Sequence, residues 1–98
     1  MLVHTVYFWI KKDLSDERRA AFARGVDSLA GIQCAEAVYI GTPAATARPV
    51  IDRTYDIGLT VLLKDMAAHD AYQVDPLHVA FLDSFRDDWE RVVIYDAD

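Results

Sequence analysis

Residues 2–10, Leu-Val-His-Thr-Val-Tyr-Phe-Trp-Ile, are rich in the β-branched and aromatic side chains that suit a pleated strand, and both sides of that strand are apolar. Leu2, Val6, Phe8 and Ile10 alternate with Val3, Tyr7 and Trp9. A chain of 98 residues has material for one core, and its helices can cover one face of a sheet. The other face needs a different cover, because soluble monomers rarely leave such a patch open. Two sheets packed face to face in a two-fold homodimer supply it.

The remainder of the chain reads as alternating elements. Leu14-Ser15-Asp16-Glu17 offers an N-cap with acidic residues in the first turn, so a helix is expected from there to about Leu29. Ala21 or Phe22, Val26 and Leu29 face inward, and Gly31 supplies the stop. Ala35–Ile40 is a second strand closed by Gly41-Thr42-Pro43. Residues 42–53 lack a steady period and form a loop expected to cover part of a pocket. Tyr55–Leu63 is a third strand with Tyr55, Ile57, Leu59, Val61 and Leu63 on one face. Asp65 caps a short helix through Tyr72, Asp75-Pro76 re-aims the chain into another, and Arg91–Tyr95 closes the fold as a last strand. The plan is α+β and ferredoxin-like, βαββαβ, a four-stranded antiparallel sheet with helices on one face, in a single domain spanning residues 1–98.

Composition narrows the function. Hydrophobic residues at 53% and charged residues at 27% describe a folded protein, slightly apolar for its size. A net charge of −6, with no large basic cluster, argues against a nucleic-acid partner. Lys11-Lys12, Arg18-Arg19 and the run from Asp83 to Arg91 read as solvated faces. The single cysteine, Cys34, cannot form an internal disulfide and reads as a packing residue. Residues 2–10 are too few to span a bilayer as a helix and lack a leader's basic flank and cleavage site, so no membrane role is expected and the cytoplasm is the default. Ser15, Ser28 and Ser84 have no G-x-S-x-G context, and Gly41 and Gly58 form no phosphate-binding loop.

One segment concentrates chemistry: Tyr72-Gln-Val-Asp75-Pro76-Leu-His78-Val-Ala-Phe81. Asp75 is a good N-cap and Pro76 suits the first helical position. His78, Leu82, Phe85 and Trp89 then follow on one face of a 3.6-residue period, expected to fade near Asp87 and Asp88. His4 alternates with Leu2 and Val6 and so points to the same helix-covered layer. His69, Asp70, Asp75 and His78 are metal-ligand types, but their spacing fits no defined site such as H-E-x-x-H, so neither metal nor other cofactor is expected.

The chain resembles the stress-responsive A/B barrel (Dabb) family of dimeric α/β barrels. The resemblance rests on His4-Thr-Val-Tyr-Phe, on Tyr55-Asp56-Ile57-Gly58-Leu59, on the Tyr72–Phe81 segment and on Trp89 ahead of Val92-Val93-Ile94-Tyr95-Asp96. It is also similar to a plant branch, the polyketide cyclases related to olivetolic acid formation. That resemblance implies an acid/base role for His78 and an orienting role for Tyr72 in an aldol closure. It implies a substrate wall containing His4, Ile57, Leu59 and Phe81. Two positions depart from the branch: Ile57 and Asp75 stand where it has histidines. An imidazole titrating near ~6.5 can remove an acidic proton between two carbonyls, and a phenol can hold the oxygen where charge builds.

The expected function is therefore a small-molecule site for an oxo or phenolic compound, with chemistry at His78. The alternative is a non-catalytic stress or structural module whose histidines are satisfied core groups, and which would have a filled core at His78. A third expectation is a cofactor-free or haem-linked monooxygenase, implied by other dimeric α/β barrels, with Tyr7, Phe8, Trp9 and Trp89 lining the cavity.

Overall fold

The computed structural model describes all residues, 1–98. The elements run β1 (Leu2–Ile10), α1 (Asp16–Ser28), a single 3-10 turn (Leu29–Gly31), β2 (Ala35–Gly41), β3 (Ile57–Leu63), α2 (Met66–Val74), α3 (Pro76–Phe85) and β4 (Trp89–Ala97). The four strands form one antiparallel sheet in the order β2-β3-β1-β4, with β1 central and pairing with both β3 and β4. This is the expected ferredoxin-like plan, with the second helical segment divided in two. No helix is long and apolar enough to cross a membrane.

Local chemistry sets the boundaries. The Ser15 hydroxyl accepts from the Arg18 backbone N–H at 3.1 Å and starts α1, and the Asp65 carboxylate accepts from Ala68 N–H at 2.9 Å and starts α2. Asp75 ends α2 and begins α3. The ring of Pro76 holds Asp75 in extended conformation (φ −60°, ψ 138°), and its carboxylate caps the new helix by accepting from Leu77 N–H at 2.9 Å.

The core lies between the helices and one sheet face. Leu2, His4, Val6, Phe8 and Ile10 of β1 are buried there beside Ile57, Leu59, Val61 and Leu63 of β3. Phe22, Val26 and Tyr72 close it from the helical side. Phe8, Phe22, Phe81 and Trp89 meet at ring separations of 5.4 to 6.3 Å, mostly edge to face, while Phe81 and Trp89 stack. Gly25 sits where α1 meets α3, and a Cβ there would run into the Phe85 ring.

Several details differ from the sequence reading. The third strand begins at Ile57, not Tyr55. Asp56 bends the chain: its N–H donates to Phe8 O at 2.8 Å and its carboxylate accepts from Ile10 N–H at 2.7 Å, and the Tyr55 ring packs at a tilt against Tyr7, 4.8 Å between centroids. Helix α3 stops at Phe85, and Trp89 reaches the core as the first residue of β4. No residue has positive φ, so Gly31 does not end α1 through a left-handed turn; instead its missing Cβ leaves room for Leu77 of α3. Arg18 and Asp88 are not simply solvated. Arg18 Nε donates to the buried Asp88 carboxylate at 2.6 Å and Nη2 to Ser84 O at 2.6 Å, while the guanidinium lies over Phe85, 4.8 Å from its centroid. This latch ties α1 to the end of α3.

Candidate functional site

A cavity of about 240 Å³ opens between the sheet, α2 and α3. His4, Leu59, Tyr72, His78 and Phe81 are all in its wall, and the half-exposed Ile94 of β4 forms part of its rim. Ile57 is the exception among the expected wall residues. It pairs with Phe8 toward the far end of β1 and packs in the core outside the cavity. The loop between β2 and β3 does border a hollow, as expected, though not this one: Asp52 and Tyr55 line a shallower hollow of about 320 Å³ on the opposite sheet face, beside Tyr7, Trp9 and Arg91.

His78 gains its orientation from a helix end. The last carbonyls of a helix have no partner within it. Tyr72 O is taken by Asp75 N–H at 3.3 Å, and Gln73 O by the His78 ring, 3.1 Å from Nδ1. A carbonyl can only accept, so Nδ1 carries the hydrogen and Nε2 keeps its lone pair. Burial lowers the pKa of His78 from its ordinary 6.5; the Gln73 hydrogen bond opposes this, His4 adds to it and Asp75 opposes it. At neutral pH the ring is a neutral base.

Tyr72 lies against both cavity histidines, with ring centroids 5.0 Å from His78 and 5.6 Å from His4. Its hydroxyl is sealed from solvent and has no hydrogen-bond partner. An unmatched buried hydroxyl costs about 1–3 kcal/mol. Burial, with smaller contributions from Cys34 and Asp75, pushes its pKa well above the ordinary phenol value, so the group stays a donor. Cys34 is half-buried and donates weakly to Ala68 O at 3.7 Å, a packing role.

The structure does not assemble His69, Asp70, Asp75 and His78 into one cluster. His69 instead joins His4 and Asp96, with one ligand atom from each lying within 4.8 Å of the others. His4 Nδ1–H donates to Asp96 Oδ1 at 2.6 Å, and His69 Nε2 stands 3.6 Å from Asp96 Oδ2. The sequence reading did not single out Asp96. Its signal is the strand register: His4 pairs directly with Asp96 across β1 and β4.

No functionally curated protein matches the sequence. Solved structures do match in fold. One is a dimeric ferredoxin-like protein of unknown function from Thermobifida fusca, with 18% identity and a TM-score of 0.79 over 98% of this chain and 88% of that one. Another is a Dabb family protein from Mesorhizobium loti with a ferredoxin-like fold, with 25% identity and a TM-score of 0.77 over 99% and 94%. A third is a hydroxynitrile lyase from Passiflora edulis, with 18% identity and a TM-score of 0.77 over 98% and 90%. The family model described as the stress responsive A/B barrel domain matches residues 2–98. With a match over almost every residue of the sheet and helices described above, the chain belongs to the stress responsive A/B barrel domain (Dabb) family.

Proposed function

We propose that the cavity beneath α2 and α3 binds a small oxo or phenolic compound, and that His78 and Tyr72 act on it as base and donor. The observation that carries this reading is a pair of complementary groups in one cavity wall: a neutral imidazole with a free Nε2 beside a phenol whose hydroxyl has no partner. Nε2 of His78 accepts a proton from the carbon next to a carbonyl, and the Tyr72 hydroxyl, sealed in the free protein, donates to the oxygen on which the negative charge collects once the entering ligand displaces the tyrosine ring enough to expose it. The proton returns from the imidazolium to the product. His4 forms a second polar wall; Leu59 and Phe81 supply apolar contact. The open volume at His78 supports a binder over a non-catalytic module with a filled core. The chain acts as a homodimer joined through the sheet face that carries Tyr7, Trp9 and Val93, a reading supported by the dimeric description of a fold neighbour.

The test is thermal melting of wild type, Tyr72→Phe and His78→Ala, alone and with a panel of β-keto and phenolic compounds, followed by turnover assays on any compound that raises the wild-type midpoint. Tyr72→Phe is expected to melt at or above wild type, having lost an unmatched hydroxyl, while losing the ligand-induced rise. His78→Ala is expected to lose turnover. A panel that never shifts wild type, or a shift that survives in both variants, sinks the proposal.

A further inference from the structure

We propose that His4, His69 and Asp96 form a binding site for a divalent transition-metal ion at the junction of β1, α2 and β4. Three elements distant in sequence bring two imidazoles and one carboxylate together, with their ligand atoms within 4.8 Å of one another. Metal–ligand bonds of about 2.0–2.2 Å to nitrogen and oxygen put tetrahedral donor atoms about 3.3–3.6 Å apart, so the three side chains must draw together by roughly 1 Å, which rotation of the exposed Asp96 and the partly buried His69 can supply. Two imidazoles and a carboxylate suit zinc, cobalt, nickel or ferrous iron, and three protein ligands leave open positions for water.

The orientation of His69 is the more telling feature. Its Nδ1 lies 3.2 Å from the Asp70 carboxylate, which can only accept, so Nδ1 carries the ring hydrogen. With that tautomer Nε2 carries its lone pair 3.6 Å from Asp96 Oδ2, two acceptors side by side that a cation would join. A carboxylate holding the remote nitrogen of a histidine is also how metal-binding imidazoles are commonly oriented. His4 would exchange its hydrogen bond to Asp96 for a bond to the ion, its ring hydrogen passing from Nδ1 to Nε2. His4 is buried, His69 partly so and Asp96 open to solvent, so an ion has an entry path from one side. The net charge of −6 favours its approach.

The site shares His4 with the cavity wall but does not depend on the proposed chemistry at His78, and its test reads metal binding rather than ligand or turnover. Protein stripped with chelator is titrated with Co²⁺, following heat of binding and the visible bands of protein-bound cobalt, for wild type, His69→Ala, Asp96→Asn and Asp70→Ala. The expected result is one ion per chain, lost in His69→Ala and in Asp96→Asn, and weakened ~10-fold or more in Asp70→Ala. His78→Gln should bind cobalt like wild type, which separates this site from the cavity base. Circular dichroism establishes that each variant is folded before it is scored. The absence of cobalt binding to wild type overturns the proposal. Binding that persists undiminished in either His69→Ala or Asp96→Asn overturns it as well.

Discussion

The two faces of β1 are equally apolar in sequence and entirely different in the fold. On the helical side Leu2, His4, Val6, Phe8 and Ile10 are at most 4% exposed. On the other side Val3, Thr5, Tyr7 and Trp9 remain partly open, with Trp9 held by Arg91 stacked 4.3 Å above its ring and by a 2.9 Å hydrogen bond to Thr54. One face is finished within the chain and the other is only dressed by a few polar and aromatic contacts. Apolar character alone therefore does not define a core; what defines it is which layer arrives to cover it.

The largest effect that tests this contrast is Phe8→Ala. Phe8 touches Phe22, Phe81 and Trp89, and its truncation should cost ~3–5 kcal/mol in denaturant unfolding. A loss below about 1 kcal/mol would mean that the aromatic cluster is not the centre of stability. Val93→Asp probes the opposite face, where Val93 pairs with Tyr7. In the proposed two-fold dimer each new carboxylate would be buried against the apolar face of the partner, so sedimentation at micromolar concentration should show monomers with unchanged far-ultraviolet circular dichroism. A variant that stays dimeric would move the interface elsewhere.

A smaller effect sharpens the contrast within the covered face. Because burial lowers the His78 pKa in the folded chain, the unfolded chain takes up this proton first as pH falls through 6.5. Stability is flat with respect to this group above that pH and declines below it, until the folded ring also protonates. His78→Gln should make the decline just below pH 6.5 shallower; equal slopes in the two proteins would show that the ring titrates alike folded and unfolded.

Periodicity made the architecture and the inward placement of His4 and His78 legible in the sequence, while the rest of the expected wall came from the family resemblance. Alternation placed His4 on the helical side, and Asp75-Pro76 located the break that carries Tyr72 and His78 into one cavity. What it did not yield depended on three-dimensional neighbours. Tyr55 fits the alternation of β3, but Asp56 satisfies the backbone of β1 and turns the tyrosine to the other face. Ile57 has the right parity for the cavity wall and lies too far along the strand. Asp96 is unremarkable near the end of the chain until the register of β1 and β4 sets it beside His4. His69 is read along α2 as a neighbour of Asp70, and only the packing of α2 on the sheet brings it to the His4 ring at 5.6 Å.

The close approach at Gly25 bears on how the cavity exchanges its contents. With Phe85 pressed against that glycine and Arg18 latched to both Ser84 and Asp88, the C-terminal half of α3 is a fixed jaw. On the other side of the cavity α2 is separated from α3 by Asp75 alone and fastened to it by the hydrogen bond from His78 to Gln73. The His78 ring is thus also a clasp between the two helices, and because a second proton would go to Nε2, acidification would leave this clasp in place and strengthen it.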